Sequence, residues 1–234
     1  MHADHVVAEP YRLHDVVDAT PTVFVIDDDI SVRRGVTRLL GSAGYRTETY
    51  ASADEFLARP VPPGPTCVVL DIAMPGVDGL ELQERMQDDG RDLPIVFVTG
   101  KGDVPSSVRA MKHGAVDFLL KPFTADQLLG AVSVALERGR KTAAERQELA
   151  LLQARFDTLT AREREVFSLI VVGLLNKQVA NRLGTSEKTV KAHRARVMEK
   201  MTVGSFAELV RAAERLEHAP GTAPAAEPLA ATAR

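Results

Sequence analysis

Four short apolar runs recur through the first 120 residues, at Thr22–Ile26, Cys67–Leu70, Pro94–Val98 and Val116–Leu120, and a weaker alternating run lies at Arg46–Tyr50. Between them the apolar positions repeat with helical spacing, at Val32–Leu40, Asp54–Ala58, Leu80–Met86, Val104–Met111 and Leu128–Leu136. Apolar strands that alternate with amphipathic helices predict βαβ units and a parallel sheet covered on both faces. The expected fold is α/β, a doubly wound five-stranded parallel sheet of the flavodoxin-like kind, followed by an all-α four-helix domain. Helix starts are marked by Ser52-x-x-Glu55 and Thr124-x-x-Gln127, capping boxes whose side chains satisfy unpaired N–H groups reciprocally, and Asp103 is placed to cap the helix after the fourth strand.

The pattern changes near residue 140. Arg138–Arg155 is charged and rich in Ala, Gln and Glu, which predicts a continuation of the fifth helix or a second helix serving as a linker. After Phe156 the strand signal is gone. Capping boxes at Thr160-x-x-Glu163 and Ser205-x-x-Glu208, N-cap candidates Asn176 and Ser186, and glycines at 173 and 184 delimit four short helices. The expected organisation is a leader over 1–20, an α/β domain over 21–140, a linker helix over 141–155, a helical domain over 156–216 and a disordered tail over 217–234. No internal repeat is visible.

Composition fits two soluble domains: 45% of residues are hydrophobic and 26% charged. A single cysteine excludes a disulfide framework and a Cys-rich zinc site. The longest apolar run, Leu169–Leu175 with Gly173 inside it, falls far short of the ~20 residues of a membrane helix. The acidic N-terminus lacks the apolar core of a signal peptide, and a cytoplasmic location is expected. The net charge of −3 changes meaning when divided. Residues 1–140 hold 14 basic and 21 acidic side chains, whereas residues 141–234 hold 15 and 11. Such asymmetry points to domains with different partners.

In a doubly wound sheet, ligands bind beyond the carboxyl ends of the strands. The first strand runs into Asp27, Asp28 and Asp29, the third into Asp71, the fourth into Thr99 and Gly100, and the fifth into Lys121 and Pro122. Clustered carboxylates favour an oxygen-preferring divalent cation such as Mg2+. With a lysine and a hydroxyl beside Asp71, they would stabilise a phosphoryl group carried on that carboxylate. Singly, each has a plainer reading: helix N-caps for Asp27–Asp29, a turn residue for Thr99. Their joint placement at four strand ends carries the chemistry.

The strings Val-Phe-Val-Ile-Asp27-Asp28-Asp29, Val-Leu-Asp71-Ile-Ala-Met-Pro-Gly-Val-Asp-Gly79, Val-Thr99-Gly-Lys-Gly-Asp and Gly-Ala-Val-Asp-Phe118-Leu-Leu-Lys121-Pro122-Phe resemble a bacterial two-component receiver domain over residues 21 to about 140. The resemblance implies that Asp71 accepts a phosphoryl group from a histidine kinase. It implies that Asp28, Asp71 and the Ala73 carbonyl bind Mg2+ directly, that Asp27 holds metal-bound water, and that Lys121 pairs with the phosphoryl oxygens. Thr99 and Phe118 match the family's switch pair, and a cis Lys121–Pro122 bond is implied. Lys101 stands where this subfamily often carries His. An Asp-based phosphatase would want a second acid two residues after its nucleophile, where this chain has Ala73, so no enzymatic activity beyond the receiver's own phosphotransfer and dephosphorylation is expected. Cys67, four residues before Asp71, reads as a buried free thiol, with a redox sensor as the alternative.

In the helical half, Asn176–Leu183, the Gly184-Thr185 turn and Ser186–Met201 have a helix-turn-helix layout whose second helix is basic. At 100° per residue, Val190, Val197 and Met201 share an inward face. Lys188, Lys191, Ala192 and Ala195 lie opposite, with Thr189 and Arg196 flanking, a mixture suited to phosphates, guanine edges and thymine methyls. Arg194 projects nearer the core edge, from where its stem reaches toward a phosphate. The strings Leu-Thr160-Ala-Arg-Glu-Arg-Glu-Val, Gly173-Leu-Leu-Asn176-Lys177-Gln-Val-Ala180 and Thr189-Val-Lys191-Ala-His193-Arg-Ala-Arg-Val-Met-Glu-Lys-Met201 resemble the LuxR/NarL output domain. That resemblance places Lys191, Ala192 and Ala195 at base-reading positions, and Asn176 and Lys177 fit phosphate contacts. His193 reads as a packing residue.

Together the halves resemble the FixJ branch of response regulators. The expected partners are a sensor histidine kinase, double-stranded DNA, a second copy of the chain on phosphorylation, and RNA polymerase, with no membrane. A DNA-binding regulator that uses its receiver only for dimerisation is the alternative.

Overall fold

The computed structural model describes residues 20–100 and 104–217, which divide into two units between Gln147 and Glu148. The expected leader over 1–20 (Thr20 apart), the tail from 218, the Asp103 cap and Lys101 lie outside the described residues.

The first unit contains β1 (Thr22–Ile26), α1 (Ile30–Ser42), β2 (Arg46–Tyr50), α2 (Ala53–Leu57), β3 (Thr66–Asp71), α3 (Gly79–Asp88), β4 (Ile95–Thr99), α4 (Val104–Lys112) and β5 (Asp117–Leu120). The strands form one parallel sheet in the order β2-β1-β3-β4-β5. Side chains alternate between its faces, as the period of two demands. Phe24, Ile26, Val68, Leu70, Ile95 and Phe97 pack on one side with Phe56, Leu82, Met86 and Ala110 of α2, α3 and α4. Val23, Val25, Cys67, Val69, Val96 and Val98 pack on the other with Val36 and Leu40 of α1 and with Leu128, Val132 and Leu136. Those last three belong to α5 (Ala125–Asp157), one continuous 33-residue helix.

The charged segment 138–155 therefore continues the fifth helix. Within the first unit Arg146 donates to the Asp92 carbonyl, and within the second Leu152 is buried in the core. Gly139 lets α5 approach the sheet closely, since a Cβ there would overlap the backbone carbonyl of Thr66.

The second unit adds α6 (Ala161–Val171), α7 (Asn176–Leu183), α8 (Glu187–Met201) and α9 (Phe206–Glu217). Its core gathers Val166, Ile170, Val179, Val190, Val197, Met201 and Leu209. The Thr160–Glu163 capping box forms as expected, and Gly184 closes α7 in the left-handed region that glycine adopts without steric cost. Ser186 caps α8 by accepting from the Thr189 amide. Asn176 differs from expectation. Leu175 is the N-cap of α7, with its amide donating to the Gln178 side chain, and Asn176 is the first helical residue. Its side chain is engaged elsewhere, by Arg194.

Candidate phosphoacceptor site and nucleic-acid interface

Successive strands are added to one side of β1 and then, from β3 on, to the other, and a doubly wound sheet opens a crevice at this switch point. Asp27 follows β1 and Asp71 ends β3, and both are buried. The Lys121 ammonium just beyond β5 donates to Asp27 Oδ2 at 2.6 Å and to Asp71 Oδ1 at 2.8 Å. One half-buried cation thus bridges two buried anions, and the site is one positive charge short of neutral. The geometry of Lys121 is set by β4, because its amide donates to the Thr99 carbonyl at 2.8 Å. The Lys121–Pro122 bond is cis.

Burial pushes the Asp71 carboxyl above its ordinary value, and repulsion from Asp27 adds to this against the opposing hydrogen bond from Lys121. Burial works to lower the Lys121 pKa, but its hydrogen bonds to Asp27 and Asp71 prevail and raise it. The other Asp27 oxygen accepts from the Asp29 amide at 2.8 Å, and Asp29 caps α1 by accepting from Ser31.

The remaining predicted site residues lie on the strands and on the loops that follow them. Thr99 is fully buried at the end of β4. Phe118 is half-buried on β5, beside the core that covers one sheet face. Asp28 and Ala73 are exposed on the loops that follow β1 and β3. Asp28 does not complete a cage with the other two acids: among the described residues no three His, Cys, Asp or Glu side chains converge as a metal site. The donors available here (Asp27, Asp28 and Asp71 carboxylates and the Ala73 carbonyl) are all hard oxygens. With the charge deficit left by Lys121, that set fits Mg2+.

Two contributors escape sequence reasoning. The Arg33 guanidinium grips the carbonyls of Asp27 and Asp28 at 2.5 and 2.9 Å, fixing the loop from which both acids project. Gly79, the first residue of α3, leaves no room for a Cβ beside the Asp71 carbonyl. Arg33 carries no sequence signal beyond a basic residue one turn into α1, and Gly79 only its place after the Asp78 cap.

In the second unit the inward face of α8 is as expected, with Val190, Val197 and Met201 wholly buried. Lys188, Thr189, Lys191, Ala192, Ala195 and Arg196 are all exposed on the same helix, and Lys177 is exposed on α7. The Thr189 hydroxyl is hydrogen-bonded to that of Ser186 at 2.8 Å. His193 is half-buried. Arg194 departs from the solvent-directed residues around it: it stacks over Phe206 and donates to Asn176. On the far side, Lys200 is tied to α6, donating to Glu163 at 2.6 Å and to the Thr158 carbonyl at 3.0 Å.

A parallel sheet with an acid–lysine site, joined in one chain to a helix-turn-helix with a basic exposed face, defines a two-part regulator. Residues 23–133 match the family described as response regulator receiver domain, and residues 157–213 match the bacterial regulatory proteins of the luxR family. The chain belongs to the FixJ-type response regulators, which join these two domains. It is 45% identical to Nodulation protein W of Bradyrhizobium diazoefficiens over 203 residues, covering 87% of this chain and 89% of that protein. It is 42% identical to the transcriptional regulatory protein FixJ of the same organism, over 82% of this chain and 94% of that one. Among solved structures it is similar to the response regulator StyR, at 46% identity and a TM-score of 0.66, covering 84% of this chain and all of that one. Among the described residues, no helix is long and apolar enough to cross a membrane.

Proposed function

We propose that this response regulator is switched by phosphorylation of Asp71 from a partner histidine kinase, with Mg2+, and then binds DNA as a dimer to control transcription through RNA polymerase. The observation that carries the reading is the Lys121 ammonium held between two buried carboxylates at the open edge of the sheet. An Asp71 oxygen attacks phosphorus, the P–N bond of the donor phosphohistidine breaks, and the imidazole leaves as a neutral ring that keeps the proton already on its other nitrogen. Lys121 is already within reach of the acceptor and pairs with the incoming phosphoryl oxygens. Asp27, Asp28, Asp71 and the Ala73 carbonyl would hold Mg2+, whose charge, when bound, offsets the repulsion between carboxylates and phosphate. The Thr99 hydroxyl then turns toward the phosphoryl group and Phe118 moves inward, a small charge event that biases a packed element.

The surface altered by this repacking includes Val104, Val108 and Met111, spaced along one face of α4, and Leu120 at the end of the adjacent β5; all four are exposed apolar side chains. They supply a dimerisation surface. For DNA, the exposed face of α8 enters the major groove with Lys191, Ala192 and Ala195 toward base edges. Lys188, Thr189, Arg194 and Arg196, together with Asn176 and Lys177 from α7, are directed to the backbone. The working domains are the receiver, 21–140, and the DNA-binding domain, 156–216.

The test is DNA binding by the full chain with Mg2+ and a small phosphodonor, wild type against Asp71→Asn. The reading expects tighter binding for phosphorylated wild type and no response from the variant; equal affinity under all conditions defeats it. Lys191→Ala should weaken binding, and an unchanged footprint and affinity would refute the groove assignment.

A further inference from the structure

Arg194 is the one basic residue of α8 held by two neighbours that carry no charge. Its Cζ lies 4.9 Å from the centroid of the Phe206 ring, and its Nη1 donates to Asn176 Oδ1 at 3.3 Å. Asn176 is the first residue of α7 and Phe206 the first of α9, so three helices meet at this guanidinium. Arg194 and Asn176 are half-buried, and Phe206 remains 38% exposed. Among the described residues no carboxylate pairs with Arg194, whereas Lys200 on the same helix is neutralised by Glu163.

The difference is chemical. A carboxylate partner would use the charge inside the protein. An amide oxygen and an aromatic face orient a guanidinium and leave its charge intact. The bond to Asn176 uses one of five N–H donors, so the rest of the planar fork is available to an external anion.

We infer that Phe206 is a positioning residue for DNA binding: its ring, together with the Asn176 amide, holds the Arg194 guanidinium oriented for a backbone phosphate. This rests on the reading of Arg194 as a phosphate contact. Orienting a long side chain before DNA arrives removes part of the ordering cost of the complex.

The experiment measures binding of the full chain to a mixed-sequence duplex of about 30 base pairs across a salt series, where each phosphate contact contributes close to one unit of log–log slope. Arg194→Ala should lower that slope by about one unit. Phe206→Leu should weaken wild-type binding about three- to fivefold, the scale of one cation–π contact. It should have no effect in the Arg194→Ala background, and Phe206→Tyr should keep wild-type affinity. Equal weakening in both backgrounds would assign Phe206 a fold-maintaining role and overturn the inference. So would unchanged affinity of Phe206→Leu. An Arg194→Ala slope equal to wild type would remove the phosphate contact itself, and the inference with it.

Discussion

The α-carbon of Gly79 faces the backbone carbonyl of Asp71 with no room between them for a side chain. Since the Asp71 carboxylate is carried on that same residue, the start of α3 acts as a fence behind that carboxylate. Gly79→Ala must displace one of them, at a cost of about 1–3 kcal/mol by analogy with overpacked cores. It should also slow phosphoryl acceptance. Gly35→Ala, in the middle of α1 with open space around it, should stabilise by about 0.5–1 kcal/mol. Chemical denaturation of the two variants gives opposite signs if the contact is real.

Asp71→Asn should make the protein more stable at neutral pH, because it removes one of two buried carboxylates that share a single ammonium. The sign follows from proton linkage. Burial raises the Asp71 pKa, so the folded chain holds that proton more tightly than the unfolded one at 3.8. Wild-type stability therefore falls as pH rises from about 3.8 through the folded value. Thermal melts of the two proteins should separate at pH 7 and converge toward pH 4. Lys121 retains Asp27 in the variant, and its own raised pKa acts only at alkaline pH.

Glu163 behaves in the opposite sense. The hydrogen bond from Lys200 holds its carboxyl down to about 2, well below its ordinary 4.5. Its contribution is complete above about 4.5 and is lost as pH falls toward 2. Glu163→Gln should flatten that acid transition in the helical domain, followed by amide exchange of α6 and α8. Because the Lys200 side chain is 33% exposed, water can solvate it when Glu163 is replaced. The loss at neutral pH should be about 1–2 kcal/mol, below the 3–5 for a fully buried pair.

Cys67 should be inert. It is wholly buried on β3, and burial pushes its thiol up to about 12. A thiol reagent at pH 8 should label the denatured chain at once and the native chain only at the rate of unfolding. Rapid native labelling would revive the redox alternative.

The sheet was legible because a strand buried on both faces has one dominant requirement, an apolar run, and β1 matches its predicted bounds. The acids, hydroxyl and lysine were legible because parallel strands deliver their carboxyl ends to one edge. What remained hidden depends on side-chain reach rather than on register. Asp27, Asp71 and Lys121 could be placed at that edge, but not the bridge by which one ammonium serves both acids. The same holds for Arg33, Arg194 and Phe206, whose roles depend on neighbours from other elements. Asn176 shows the limit of local rules: an Asn before an apolar run reads as a cap, yet Arg194 competes for its oxygen and Leu175 takes the cap position.

The Lys121 bridge spans 94 residues of chain to Asp27 and 50 to Asp71. A ribosome delivers the two acids first and their counter-ion last. Until residue 121 has been synthesised, the two carboxylates have no ammonium to share. The bridge is therefore the last part of the site to be completed, and only a chain whose translation has passed residue 121 can form it.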